Sequence, residues 1–412
     1  MLDRTYSMTI PAGTFGKTFG MRAPYAAVYD PVAGNYWVAE EFEAGLTRWD
    51  QDQDPSINQK LDYSIWSTTN ALGGDCPTSE RKSRFIVNPI QIETWNGLIF
   101  TANSIPQNPD KGKVKTFNPL IQQKKDEVVA ASNDGRNPDP NIIKCSERIA
   151  DFDMKSSHIA IDIQDNILYA MGGGKADVTT GSYVRGQHFF WIRDLSKTGV
   201  NSGIKLGNWL YHNTRACTRS SFNFASGRTD GGIPNNRPLR SASRLLTAIA
   251  VDKNHQYLYV TNEYGKIYSF KLHKNGSDVC INPRHAPIAS FTNPCGISHG
   301  LVTDPDDPDI LYATGYESHQ ICKMTLNNGS LVSFVVKGVE NLSAPQSIDA
   351  EPYLMQPQSI KFDRDINGEK NLIVANTGRM EVIIVNRDLK FKKAFGLEAV
   401  SYTHLTLPTI RS

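Results

Sequence analysis

The chain has no apolar run approaching the ~20 residues that a bilayer-spanning helix needs, and its opening residues MLDRTYSMTI hold no long apolar stretch of the signal-peptide kind. Charge of one sign is also lacking. Lys and Arg number 44 against 42 Asp and Glu, and the net +2 selects neither nucleic acid nor an acidic surface by itself. With 39% apolar residues, the composition is that of an ordinary soluble protein. His-Glu-x-x-His, a phosphate-binding Gly-x-x-x-x-Gly-Lys-Ser/Thr and Cys-x-x-Cys are all missing, which removes the helical zinc protease, the P-loop and the dithiol redox site as readings. Gly172, Gly173 and Gly174 in MGGGKAD read only as a flexible turn after a strand. Cysteine is scarce. Cys76, Cys145, Cys217, Cys280, Cys295 and Cys322 are an even count that allows 15 pairings.

What the chain does have is a recurrence. Six times a hydrophobic strand ends at an acidic residue, a turn follows, and a second strand begins: PYAAVYD…NYWVAE, NPIQIE…GLIFTAN, SHIAID…NILYAMGG, TAIAVD…QYLYVTNE, HGLVTD…DILYATGY and QSIKFD…NLIVANTG. Asp30, Glu93, Asp162, Asp252, Asp304 and Asp363 anchor these units, and Glu93 reads as the strand-ending equivalent of Asp30. Third strands close the units: GLTRWD, GKVKTFN, HFFWIRD, GKIYSFKL, HQICKMTL and MEVIIVN. Repeats too small to bury a core alone stack into a continuous one, so the expected fold is all-β, a β-propeller with six recognisable blades, six- or seven-bladed when whole.

The anchors lie 52 to 90 residues apart, against about 40 to 50 for a minimal blade. The surplus falls in Gln51 to Arg84, Pro119 to Met154 and Ser196 to Arg244, all rich in turn-forming residues and all placed between one unit's third strand and the next unit's first. Equivalent insertions emerge on one side of a repeat array, so a loop canopy over one face is expected. Residues 1–399 read as one domain. Residues 400–412 (VSYTHLTLPTIRS) resemble translated sequencing-adapter read-through and are expected to be a non-native tail, with the natural chain continuing past Ala399 as a fragment would.

The segments Pro24 to Glu40 and Pro357 to Asn376, with the Phe-Gly pieces Phe15 to Gly20 and Phe395 to Gly396, resemble the NHL-repeat β-propeller superfamily, and the likeness runs over roughly residues 7 to 396. That resemblance implies a central channel lined by the first strand of each unit. Five residues before each anchor stand Tyr25, Asn88, Ser157, Thr247, His299 and Gln358, all able to hydrogen-bond. Four before stand Ala26, Pro89, His158, Ala248, Gly300 and Ser359, mostly small. Because neighbouring strand residues face opposite ways, the first set reads as a ligand-binding ring at a channel mouth, with short polar residues around ordered water as the plain alternative.

His158 and His299 sit in this zone. The resemblance to the superfamily's amidating lyase, whose channel zinc is held by three histidines, makes them metal candidates, and lactonase-type relatives imply a calcium held by a channel carboxylate with Asn and Asp, for which Asn88 and Glu93 are the nearest pair. Two imidazoles fall short of the three or four ligands zinc takes, so no cofactor is expected and calcium or zinc is the rival reading. Between Arg193 and Arg244, nine Lys and Arg stand against two Asp, with Trp209, Tyr211 and Phe222 interleaved. Arg215, Arg219, Arg237 and Arg240 are therefore candidates for anion binding, and RNA is the third reading. It is opposed by the acidic DPDDPD run at Asp304 to Asp309. The Asn-x-Ser sequons at Asn275, Asn328 and Asn341 and the cysteine placement favour a secreted or lumenal, disulfide-bonded glycoprotein over a cytoplasmic protein. The function expected is non-catalytic binding of a protein or small molecule at the loop-decorated channel face. A metal-dependent hydrolase or lyase is the alternative.

Overall fold

The structure is a computed structural model, and it describes residues 24–32, 34–40, 45–50, 60–65, 89–103, 113–117, 148–153, 158–176, 183–195, 246–275, 278–281, 287–338, 354–364 and 368–396. Asn88, Ser157, Arg215, Arg219, Arg237, Arg240, Asn341, the insertion Ser196 to Arg244, the piece Phe15 to Gly20 and the tail from Val400 lie outside them. The described residues are all-β, relieved only by a short 3-10 turn at Thr377–Arg379.

Six antiparallel sheets form in chain order. Sheet 1 is β1 (Pro24–Asp30), β2 (Asn35–Glu40), β3 (Gly45–Asp50) and β4 (Lys60–Ile65). Sheet 2 is β5 (Pro89–Trp95), β6 (Leu98–Asn103), β7 (Lys113–Phe117) and β8 (Arg148–Asp153). Sheet 3 is β9 (His158–Gln164), β10 (Ile167–Ala176) and β11 (Tyr183–Asp194). Sheet 4 runs β12 (Leu246–Val251), β13 (Tyr257–Asn262) and β14 (Lys266–Asn275), with β15 (Asp278–Ile281) and β16 (Ala289–Thr292) both pairing β14. Sheet 5 is β17 (Leu301–Thr303), β18 (Ile310–Gly315), β19 (Gln320–Asn327) and β20 (Ser330–Gly338). Sheet 6 is β21 (Pro357–Arg364), β22 (Lys370–Asn376), β23 (Glu381–Val385) and β24 (Phe391–Phe395). All six expected third strands are present. Strands β4 and β8 fall inside the stretches Gln51 to Arg84 and Pro119 to Met154 that read as loops, because a fourth, outer strand needs only one patterned face. The three glycines expected in a turn lie within β10, where the register shifts between Gly173 and Lys175, so they mark a bulge.

Six apolar cores join each sheet to the next and return to the start. Ala26, Val28 and Trp37 of sheet 1 pack on Ile92 and Ile99 of sheet 2, and Ala27, Tyr36, Val38 and Trp49 on its other face pack on Ile373, Val382, Ile384 and Phe395 of sheet 6. The same arrangement joins sheets 2 to 3, 3 to 4, 4 to 5 and 5 to 6. First strands are therefore flanked by first strands, and space between them is short. A Cβ on Gly300 would lie 2.7 Å from Gln358 O and from Ile360 N, so only glycine lets sheets 5 and 6 approach there.

Hydrogen bonds repeat across these seams. Threonines at the ends of second strands reach the backbone that begins the next sheet: Thr261 Oγ1 donates to Ser298 O (3.3 Å), Thr314 Oγ1 to Gln358 O (2.9 Å) and, just past β22, Thr377 Oγ1 to Pro24 O (2.5 Å). This explains the Thr in the recurring Tyr-Val-Thr-Asn and Tyr-Ala-Thr-Gly. The seam between the chain's two ends is closed further by Tyr36 Oη donating to Asp363 (2.5 Å) and by Ala27 N donating to Ser359 Oγ (3.3 Å). Between sheets 3 and 4, buried His255 bridges Tyr169 Oη (2.6 Å) and Asp165 (3.0 Å). The acidic run at Asp304 to Asp309 is occupied by cations of sheet 6: Arg387 pairs with Asp304 (3.4 Å) and Asp306, and Lys370 with Asp306, whose carboxyl these hydrogen bonds hold down at about 2.

Among the described residues one disulfide is formed: Cys295, just after β16, joins Cys322 of β19 within the core shared by sheets 4 and 5. Replacing both by alanine removes a constraint on a loop of 27 residues, and chain-entropy scaling gives a loss of about 3.5 kcal/mol. The expected result is a lower urea midpoint, with the far-UV circular dichroism of a β protein retained.

Candidate functional site

The strand registers relocate two anchors. In sheets 1, 2, 4 and 6 the first strand opens with a residue pair, skips a bulged position, and then pairs regularly: Pro24↔Glu40 then Ala26↔Ala39, Pro89↔Asn103 then Gln91↔Ala102, Leu246↔Asn262 then Ala248↔Thr261, and Pro357↔Asn376 then Ile360↔Val374. Counted from there, Glu93 (opposite Phe100) matches Val28 (opposite Trp37) and Lys361 (opposite Ile373), while Asp162 is opposite Tyr169 in the same way. The strand-end place of Asp30 is taken in sheet 2 by Trp95. Glu93 is therefore not the equivalent of Asp30, and it and Asp162 stand two residues deeper in their strands. The physical reason is in the turns. Asn96 and Gly97, with φ of 47° and 74°, form a two-residue hairpin turn where sheet 1 uses the four residues 31–34, so the acid-to-aromatic spacing stays at seven while the acid moves inward.

Displaced inward, the two carboxylates meet a lysine. Lys361 Nζ pairs with Glu93 Oε1 and lies 3.4 Å from Asp162 Oδ1, so sheet 6 is joined to sheets 2 and 3 by side chains that are each at most 10% exposed. Asp162 Oδ2 also accepts from Val251 N of sheet 4 (2.8 Å). Two carboxylates face one ammonium. Burial raises the Glu93 carboxyl, Lys361 opposes that rise and Asp162 adds to it, which leaves Glu93 at about 7, against an ordinary value of 4.5. Burial pulls Lys361 down, but the charges of Glu93 and Asp162 outweigh it, and its net direction is upward. With one proton on Glu93 and the charge of Lys361 set against one remaining carboxylate, the cluster is neutral.

Two residues earlier along β5, about 7 Å by strand rise, Gln91 forms a second link. Its Oε1 accepts from Ile161 N (2.8 Å), and its Nε2 donates to Thr247 O and His299 O, both at 3.4 Å. One buried amide thus touches sheets 3 and 4 and the lead-in to sheet 5. The sequence did not single out Gln91, although the polar-in-apolar pattern Ile-Gln-Ile-Glu was a usable signal.

Of the expected entrance ring, Tyr25, Thr247, His299 and Gln358 lie among the described residues. Tyr25 and Thr247 are the bulged residues of β1 and β12, and Gln358 lies in the irregular step of β21, which is why positions five before the true anchors behave alike: a bulge re-aims its side chain. The matching residue of sheet 2 is Ile90, an apolar side chain packed against the core, rather than Asn88. Thr247 is satisfied within the protein, its Oγ1 on Thr261 Oγ1 (2.9 Å) and Ser298 O (2.5 Å). Tyr25 and His299 are half-buried, the His299 ring meeting Tyr316 edge-on at 5.3 Å, and Gln358 is largely buried. His158 pairs by its backbone with Gly173.

Among the described residues no three His, Cys, Asp or Glu side chains converge on one point as metal ligands. The chemistry of the central donor set points the same way. The ammonium of Lys361 stands between the two axial carboxylates where a divalent cation would have to sit, so these residues do not fit calcium or zinc unless Lys361 leaves.

No family model and no curated protein matches the chain. Solved structures that resemble it include a functionally unknown protein from Desulfotomaculum acetoxidans (11% identity, 88% of this chain and 80% of that one, TM-score 0.43). Others are the PQQ-bound aldose sugar dehydrogenase of Streptomyces coelicolor (11%, 87% and 90%, 0.44) and a candidate 6-phosphogluconolactonase from Bacteroides fragilis (14%, 91% and 85%, 0.46). At these identities and TM-scores none carries an argument about what this chain binds or does.

The charge cluster generates a prediction of sign. Because the folded pKa of Glu93 lies above its unfolded value, the folded state binds the proton more tightly. The associated stability is complete below about 4.5 and is lost as pH rises through about 7. Urea midpoints measured from pH 5 to 8 should fall more steeply for the wild type than for Glu93→Gln. Lys361→Met, which strands two buried carboxylates, should cost about 3–5 kcal/mol at pH 8 and less at pH 5.

Proposed function

We propose that the six sheets are the blades of a six-bladed β-propeller, and that the protein binds a small, neutral, polar ligand at the mouth of its axis without transforming it. The closed cycle of six inter-sheet cores supports the blade number. The observation that carries the binding reading is the state of the charged groups beneath the mouth. Glu93, Asp162 and Lys361 are committed to one another, and Gln91 is committed to three backbone groups, so the axis is floored by partners already satisfied. Above it stand a phenol, an imidazole and an amide, Tyr25, His299 and Gln358, with Tyr316 beside His299. Phenol, imidazole and amide groups combine ring faces with polar atoms, and they suit a sugar-like ligand. Protein partners on the loop-bearing face and RNA at Arg215, Arg219, Arg237 and Arg240 rest on residues outside the described set.

One observation favours a second reading. A buried carboxyl held near 7 is what a general acid or base requires, so a metal-free lyase or lactone hydrolase acting through Glu93 is the rival.

Titration with glucose and with glucono-1,5-lactone, followed by calorimetry and by lactone opening, separates the two. Binding with no turnover above the spontaneous rate is expected, with affinity reduced about two- to tenfold by Gln358→Ala or His299→Ala, the worth of one neutral hydrogen bond. Lactone opening that disappears in Glu93→Gln would replace the binding reading with the catalytic one. No heat with either sugar, together with saturable binding to poly-U that weakens steeply with salt, would move the function to the basic insertion.

A further inference from the structure

The turn joining β19 to β20 reads Asn327-Asn328-Gly329-Ser330, with Asn327 pairing Ser330. Asn328 and Gly329 take φ of 49° and 76°, so the hairpin turns in two residues and presents Asn328 at its tip, exposed, with exposed Ser330 two residues on. The Oδ1 of Asn328 accepts from Tyr257 Oη (3.4 Å), and among the described residues no protein group engages its Nδ2. A floor lies under the turn. A Cβ on Gly329 would come within 2.9 Å of Ile288 and 3.2 Å of the Tyr257 ring, which shows how closely both side chains approach the tip.

The strand that leaves this turn is unusual. β20 is the outer strand of sheet 5, no described strand pairs with its far edge, and Val332, Phe334 and Val335 are 50–64% exposed on it, with Ile288 46% exposed nearby. By contrast β24, the outer strand of sheet 6, carries Lys392 and Lys393. A long edge with exposed apolar side chains is a template for association unless something covers it. The buried Cys295–Cys322 bond ties the same sheet to its neighbour, and such bonds form in oxidising compartments, where the machinery that modifies Asn-x-Ser resides.

We propose that Asn328 is an N-glycosylation site, whose glycan rests its first sugar on Tyr257 and Ile288 and screens the apolar edge of β20. In the transfer, Asn328 Nδ2 forms a bond to C1 of the sugar of a polyprenyl-diphosphate-linked oligosaccharide. The C1–O bond breaks, the diphosphate leaves with the electron pair, and the nitrogen gives up one of its two protons. The sequon's hydroxyl, Ser330, is the residue the transferase reads.

The full chain, sent through the secretory pathway of a eukaryotic cell behind a cleavable leader, provides the test. After treatment with an N-glycosidase and trypsin, the peptide covering residues 324–337 should carry Asp at position 328. Asn328→Gln and Ser330→Ala should each lose the mass of one glycan, and the second variant keeps the turn residue in case the first does not fold. Recovery of that peptide mainly with unmodified Asn328, from secreted protein whose Cys295–Cys322 bond has formed, overturns the site. Sedimentation of Ser330→Ala beside the wild type reads the screening role: the unglycosylated variant should self-associate at several-fold lower concentration, and identical sedimentation overturns it.

Discussion

A lysine from sheet 6 reaches across the centre of the molecule to two carboxylates from sheets 2 and 3, and the surrounding arrangement depends on that meeting. The apolar cores connect neighbouring sheets, including sheet 6 back to sheet 1, and each taken singly would pack in much the same way in a ring of different size. The Lys361 contacts connect sheets that are not neighbours, and Gln91 does the same for sheets 2, 4 and the lead-in to 5. Such bonds can form only if the sheets surround a common axis. Removing one partner of a buried pair costs about 3–5 kcal/mol, whereas an apolar trio of equal volume would be about as stable. Charge at the centre therefore contributes specificity of arrangement more than net stability. The excess carboxylate is then tolerated because Glu93 keeps a proton up to about 7.

The repeat was legible in the sequence because its signal is redundant: six hairpins, each alternating in hydrophobicity, each followed by a third strand. Register within the hairpins was not. An acid seven residues before a buried aromatic occurs at Asp30 with Trp37, at Glu93 with Phe100, at Asp162 with Tyr169 and at Asp252 with Tyr259. In the first and last it caps a wide turn, as Asp252 does by accepting from the backbone N–H of Asn254, Gln256 and Tyr257. In the middle two the turn is two residues shorter and the acid points into the core. Linear spacing cannot separate these cases, since the shortened turn cancels the inward step. Pairing partners can, and Asn96-Gly97 was the local clue.

The candidate site was legible to a lesser degree for a related reason. Tyr25, Thr247 and Gln358 were found together because bulges recur at one strand position, and a bulge is invisible except through what it does to register. Asn88 and Ser157 entered the set only through the misplaced anchors Glu93 and Asp162. Lys361 was passed over because a lysine in Ser-Ile-Lys-Phe-Asp reads as the solvent-facing member of an alternating strand. Its burial depends on partners more than 190 residues away, and no local pattern encodes that.

The mouth and the floor of the axis are coupled through one strand. Gln91 and Glu93 lie on the same side of β5, two residues apart, and the Gln91 amide donates to the carbonyls of Thr247 and His299. His299 is itself a mouth residue. For a ligand bound at the proposed mouth, a preference for one arrangement of His299 is linked to the titration of Glu93 through this strand. In the proposed binding reading the central charges belong to the site through that strand, not through contact with the ligand.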